Sequence, residues 1–184
     1  LRVSIALFGS GVVLIAAILL ANEVVVRKIR NDTLDLTSTN LKSQATVLSS
    51  EVDRSLKLLD LALSSLSDHI ARLGVNDSDS LKRAMGNTAF YRLLQEKKNG
   101  LTRVEAITLI SNEGKLINFS RYWPIPDVNV ADRDYFKVLK DDASQESLIS
   151  APVQNRGSGT WNVYLARRLN TPDGDFMGLL LGAI

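Results

Sequence analysis

The chain has 184 residues, 45% of them hydrophobic, and a formal net charge of +2. That is material for one modest folded domain plus an extension, and a charge this close to neutral gives no electrostatic support for a nucleic-acid partner. With no cysteine and a single histidine, His69, disulfides are impossible and a zinc site built on thiolates or several imidazoles is excluded.

Val3 to Ala21 carries no charged residue. Its roughly 19 residues approach the ~20 needed to cross a hydrocarbon core about 30 Å thick. The segment therefore reads as a transmembrane helix over 1–22. A secretory signal peptide is the competing reading, but its apolar core would be shorter and would end at a small-x-small cleavage site. Arg27, Lys28 and Arg30 follow the segment, whereas only Arg2 precedes it. Taken alone, this asymmetry puts the downstream part in the cytoplasm. The chain starts at Leu1 and stops at Ile184 within an apolar run, so it reads as a piece of a longer protein.

From Glu23 to Leu73 there is neither proline nor glycine. Val52, Leu56, Leu59, Leu63, Leu66, Ile70 and Leu73 recur at alternating steps of three and four, the seam of an amphipathic helix or coiled coil. Leu41, Ala45 and Leu48 continue the rhythm upstream, with a stutter where Leu48, Val52 and Leu56 are spaced four and four. A spine helix over 23–74 follows, about 75 Å long at 1.5 Å per residue. Its upper half is expected to dock on a sheet and its lower half to pair with a second copy, giving a homodimer. Asn31 to Asp35 is weak helix and a place for a break. His69 reads as a surface or interface residue.

Gly74 ends this helix, and Asn76-Asp-Ser-Asp-Ser80 can cap the next. Leu81 to Lys98 is helical, with an interruption at Gly86-Asn87. The period then changes from helical to alternating. Val104–Ile110 and Lys115–Ser120 are strands joined by a turn at Ser111-Asn-Glu-Gly114. Asp132–Lys140 is a short helix with Asp132 as N-cap. Ser147–Gln154, Thr160–Asn170 and Phe176–Ile184 are three further strands. The fold class is α+β: a five-stranded antiparallel sheet of the PAS kind with flanking helices.

Candidate binding residues collect late in the chain. A guanidinium offers planar, bidentate donors matched to a carboxylate, and Arg133 stands at a helix start whose free N–H groups also favour an anion. Tyr135 and Trp161 are candidates to wall the same pocket, with Tyr122, Trp123 and Arg167 as further contacts. Strand alternation puts Trp161, Val163, Leu165 and Arg167 on one face and Asn162, Tyr164, Ala166 and Arg168 on the other, so one of the two arginines faces inward. The bland alternative is that Asp132, Arg133 and Asp134 only cap a helix and bridge loops, with Trp161 in the core. Arg156-Gly-Ser-Gly lacks the lysine and following helix of a phosphate-binding loop and reads as a hairpin. No nucleophile–base pair, metal cluster or paired-carboxylate pattern supports catalysis, and neither a cofactor nor a metal is expected.

Phe119-Ser-Arg121, Trp123-Pro124, Ala131-Asp-Arg-Asp-Tyr-Phe136, Ile149-Ser-Ala-Pro-Val153, Gly157-Ser-Gly-Thr-Trp161, Leu165-Ala-Arg-Arg168 and Asp173-Gly-Asp-Phe-Met-Gly178 together resemble the membrane-distal half of a double Cache (PDC) sensor. These are the extracytoplasmic PAS-like domains of bacterial receptors, and the wording is most like those preceding diguanylate cyclases and histidine kinases. The resemblance spans Val24 to Ile184 and is specific in the last third. It implies an inner-membrane anchor, a periplasmic module over 75–184 on the spine helix, a small-molecule ligand, and a cytoplasmic output domain beyond a second module and a second membrane helix. In amino-acid-sensing members an Arg-x-Trp-Tyr motif holds the ligand carboxylate and an aspartate of the last strand takes the amine. Arg133, Tyr135 and Phe136 fall on that motif with two aromatic exchanges, and Ala183 stands at the aspartate position. A carboxylate without an amine is the ligand this pattern implies. A diguanylate cyclase output is the first expectation; a histidine kinase and a ligand-free dimerisation module are the alternatives.

Overall fold

A computed structural model describes residues 44–156 and 159–184. The membrane-segment reading of Val3–Ala21 and the lower part of the spine lie outside them. Among the described residues no helix is long and apolar enough to cross a membrane. Residues 44–51 are helical, and Val52–Ile184 forms a compact unit.

Helix α1 occupies residues 52–72 of this unit. Leu59, Leu63, Leu66 and Ile70 on its seam are buried, whereas Val52 and Leu73 at its two ends remain exposed. The upper half of the seam therefore docks as the periodicity implies. Gly74, at φ +68°, turns the chain out of the helix in a conformation that glycine adopts without steric cost. Helices α2 (Ser78–Met85) and α3 (Thr88–Asn99) follow, separated at Gly86-Asn87 as expected. Asp77 caps α2 by accepting from the amides of Asp79 and Ser80 at 2.9 and 2.8 Å, and the Ser80 hydroxyl accepts in return from the Asp77 amide. These amide bonds, that of Ser80 foremost, hold the Asp77 carboxyl below its usual range. Asn87 caps α3 through the Phe90 amide.

Strands β1 (Ala106–Ser111) and β2 (Leu116–Phe119) form the expected hairpin. Gly114 closes its turn at φ +81°. Helix α4 (Asp134–Asp141) crosses over to β3 (Ser147–Ile149). A separate two-stranded ribbon pairs β4 (Val153–Gln154) with β5 (Trp161–Asn162). The chain ends in β6 (Tyr164–Asn170) and β7 (Phe176–Ala183). The antiparallel sheet runs β2-β1-β7-β6-β3, so β7 is central. Two of the expected strands are each split in two. Pro152 has no N–H to donate, and the Ser150 hydroxyl accepts from the Tyr164 amide, taking a side chain into the ladder. Val163 leaves β6's register and exchanges backbone bonds with Ile184.

Each sheet face has its own core. On one, α1, α2 and α3 pack Leu59, Leu63, Leu81 and Leu94 against Ile107, Leu109, Leu165 and Leu180. On the other, α4 packs Tyr135, Phe136 and Leu139 against Ile110, Ala166, Leu179 and Leu181. The first face is closed because α1 approaches β7 at a glycine. A Cβ built on Gly182 would lie 2.4 Å from a Leu59 methyl.

Gly182→Ala should therefore destabilise the domain by about 1–3 kcal/mol through overpacking, and Leu59→Ala by about 2–5 kcal/mol through a cavity. Combined, the two should cost clearly less than their sum, because the new methyl enters the space vacated by leucine. Urea unfolding of the four proteins measures this coupling, and additive losses would contradict the contact.

Candidate functional site

The face opposite α1 is not completely filled. A cavity of about 120 Å3 lies between β1, β7 and the segment that covers them. Its apolar floor comes from alternate residues of two strands, Ala106, Thr108 and Ile110 of β1 and Leu181 and Ala183 of β7. These side chains share a face because strand periodicity is two. Its roof and rim come from Val128 and Val130 before α4, Arg133 and Tyr135 at its start, Tyr164 at the start of β6, and Arg121, Tyr122, Asn155 and Arg156 from loops.

Three arginines line this cavity, but their electrostatic situations differ. Arg156 pairs with Asp132 at 2.6 Å and also donates to the Asn129 carbonyl. Arg121 pairs with Glu105 at 3.4 Å, and Glu105 accepts in addition from the buried Asn162 amide at 3.0 Å. Arg133 donates to the backbone carbonyl of Gln154 at 3.0 Å and has no carboxylate partner among the described residues. No Asp or Glu is among the described residues lining this cavity. Asp132 and Asp134 border a second hollow, on the side of Leu148, Ile149 and Val153, which Arg133 and Tyr135 also line. The first, without a carboxylate in its lining, is therefore the more favourable place for an anion.

Tyr135 is 4% exposed, with its ring 5.6 Å from that of Tyr164. Burial, reinforced by its Tyr164 neighbour, raises its phenol well above the ordinary value. Burial likewise raises that of Tyr164. Both stay protonated at neutral pH and present hydroxyl donors. The Tyr135 hydroxyl has no hydrogen-bond partner among the described residues, and although the ring is buried its oxygen is not fully enclosed, so it is free to donate to water or a ligand. Tyr135 and Arg133 line the first cavity together.

Of the six residues singled out from sequence, the structure brings Arg133, Tyr135 and Tyr122 together around the cavity and places the other three elsewhere. Trp161 is 70% exposed on the small ribbon, neither core nor cavity wall. Trp123 is 38% exposed and its ring lies 6.0 Å from that of Tyr91. Arg167 faces α1, where it pairs with Asp60 at 2.7 Å. The inward-facing arginine of β6 is Arg168, but it serves the fold. Only 7% exposed, it donates to the carbonyls of Leu139 and Lys140 at the end of α4 and lies over the Phe176 ring. This satisfies helix-terminal carbonyls and places a cation at the negative end of the helix dipole.

Asp132 is not the N-cap. Arg133 holds that position without a side-chain cap bond, because the Asp132 carboxylate is engaged by Arg156. That bond depresses the Asp132 pKa, so the pair persists at neutral pH and is lost only as pH falls below the ordinary carboxylate range. Arg121, Asn155, Arg156 and Tyr164 were not among the sequence candidates. Tyr164 was within reach, since alternation from Ala166 puts it on the cavity face. Arg121, Asn155 and Arg156 sit in loops, where no periodicity reports orientation. Among the described residues no group of three or more His, Cys, Asp or Glu is placed to hold a metal.

No protein-family model matches the chain, and no curated protein matches it. Solved structures do match. The extracellular domain of rpHK1S-Z16, assigned as a histidine kinase, aligns at 25% identity and a TM-score of 0.50 over 75% of this chain and 58% of that one. An extracellular ligand-binding receptor from Desulfohalobium retbaense aligns at 13% identity and 0.57, over 73% of this chain and 23% of that one. The ligand-binding domain of the Pseudomonas aeruginosa amino-acid chemoreceptor PctC, solved with GABA, aligns at 16% identity and 0.50, over 80% and 60%. The chain thus spans less than two thirds of the length of each. Its fold is the PAS-like fold of extracellular sensor domains of histidine kinases and chemoreceptors, the Cache or PDC type.

Replacing Arg168 separates a structural arginine from the cavity arginines. Arg168→Met should destabilise the domain by about 2–4 kcal/mol, because buried carbonyls lose a charged donor. The same change at Arg133, whose guanidinium reaches one exposed carbonyl, should cost under about 1 kcal/mol. Thermal unfolding of the two variants tests the ranking, and equal losses would contradict it.

Proposed function

We propose that this chain is the ligand-sensing region of a membrane-bound bacterial receptor. Residues 1–22 anchor it in the inner membrane, residues 23–74 form the spine, and residues 75–184 lie in the periplasm and hold a small carboxylate. Arg133 and Tyr135 grip the carboxylate, and Tyr122 contributes to the rim. The observation that carries this reading is one cavity that joins an arginine without a carboxylate partner, a buried tyrosine without a hydrogen-bond partner, and an apolar floor, in a fold used by extracellular sensor domains.

Binding would reach the membrane through the spine. The strand that floors the cavity, β7, packs its other face on Leu59 of α1 at Gly182, so a change in cavity occupancy has a direct route to the helix. Val52, Leu58 and Leu61 stay exposed on α1, which supports a homodimer formed through this helix. The resemblance in the last third of the chain favours a diguanylate cyclase as the cytoplasmic output. The likeness to the extracellular domain of rpHK1S-Z16 favours a histidine kinase as the second reading. Ligand-dependent cyclic-di-GMP synthesis, against ligand-dependent autophosphorylation, in membranes carrying the full receptor separates the two.

A thermal-shift screen with small carboxylates tests the sensing reading. A ligand at about 100 times its dissociation constant should stabilise by roughly 2.7 kcal/mol, a rise of several degrees in Tm. The rise should vanish in Arg133→Ala and persist in Trp161→Ala. A response lost in Trp161→Ala and retained in Arg133→Ala would overturn the assignment of the site.

A further inference from the structure

Resting on that reading of the cavity, the distribution of charge around it narrows the ligand further. Three guanidiniums suggest at first a site for a dianion. Each arginine, however, must be counted with its partner. Arg156 is neutralised by Asp132 at 2.6 Å and Arg121 by Glu105 at 3.4 Å. Arg133 forms no ion pair among the described residues and donates to a backbone carbonyl, with Asp132 acting on it only through space. The cavity therefore offers at most one positive charge that is not already paired. The Tyr135 phenol adds a neutral donor beside it. Opposite this polar corner, Ile110, Val130, Leu181 and Ala183 present hydrocarbon only. A second carboxylate or an ammonium placed there would lose its hydration without gaining a partner.

Size sets the other limit. A cavity of about 120 Å3 is slightly smaller than the ~150 Å3 apolar cavity that holds benzene. On that scale it accommodates about five non-hydrogen atoms, the remainder of a ligand lying at its open rim beside Arg133. From the charge count and the apolar floor we propose that the site selects short-chain aliphatic monocarboxylates, and that the Arg156–Asp132 and Arg121–Glu105 pairs act as specificity determinants by withholding two positive charges from the ligand. The carboxylate lies against Arg133 and Tyr135, and the alkyl tail covers the β1 and β7 side chains.

Four compounds of near-equal size distinguish the alternatives: butyrate as monoanion, malonate as dianion, β-alanine as zwitterion and butyramide as neutral isostere. Calorimetric titration of the full chain in membrane nanodiscs at neutral pH should show butyrate binding at least about 10-fold tighter than each of the others, and losing at least that factor in Arg133→Ala. Asp132→Asn frees the Arg156 guanidinium and should move the malonate-to-butyrate affinity ratio toward malonate by about 5-fold or more. Asp132 is exposed and caps nothing, so this variant should fold. Malonate or β-alanine binding as tightly as butyrate, in an Arg133-dependent way, would overturn the monocarboxylate inference and leave the carboxylate sensor standing. An unchanged ratio in Asp132→Asn would overturn the role of the pairs. No binding by any of the four would overturn both the inference and the sensing reading.

Discussion

The central strand Phe176–Ala183 is buried along both faces, and what covers each face decides what the domain can do. On one side a glycine at position 182 lets α1 come close enough for Leu59 to fill the space a side chain would occupy. That contact closes the centre of the face, and Leu63, Leu66 and Ile70 extend the seal along the helix. A hollow remains at its edge between α1 and β3, beside Leu56, Asp60, Ile149 and Leu165. The closely packed centre of this face has no room for a ligand. The opposite face offers the cavity with cationic and phenolic groups, because α4 covers only one end of the sheet and the loops around Arg121 and Arg156 complete the cover.

Four of the five arginines near the sheet are engaged, Arg121 among them through Glu105. Arg167 ties β6 to α1 through Asp60, and Arg168 ends α4 through its carbonyls. Arg156 is held by Asp132. Arg133, at the start of α4, makes no ion pair among the described residues and stands beside the hydroxyl of a buried tyrosine and an apolar floor. The feature that points to binding is this contrast, since guanidinium groups at the ends of elements are commonplace and an unpaired one lining a cavity is not.

Much of the scaffold was legible in the sequence. The three-and-four spacing of Leu59, Leu63, Leu66 and Ile70 marked the buried seam of α1. The Ser111–Gly114 turn marked the first hairpin, and Gly86-Asn87 the break between α2 and α3. These are local signals, carried by neighbours within a turn or two. The alternation in Tyr164–Asn170 was also readable, but not which face is inside. That depends on the side α1 takes, and the contact settling it joins Asp60 to Arg167, 107 positions apart. The bulk of Trp161 suggested a wall or a core residue, yet the ribbon that bears it stands off the main sheet. The role of Asp132 was misjudged for a related reason. Its caps-like position is local, whereas the arginine that engages its carboxylate lies 24 positions away across the cavity mouth.

The account stands or falls on where a ligand's charge comes to rest. A crystal structure of the domain grown with butyrate addresses this most directly. The account predicts the carboxylate within hydrogen-bonding distance of the Arg133 guanidinium and the Tyr135 hydroxyl, the alkyl chain over Ile110 and Leu181, and the Arg156–Asp132 pair intact. Butyrate seated elsewhere, or the cavity closed by the protein's own side chains, would contradict it.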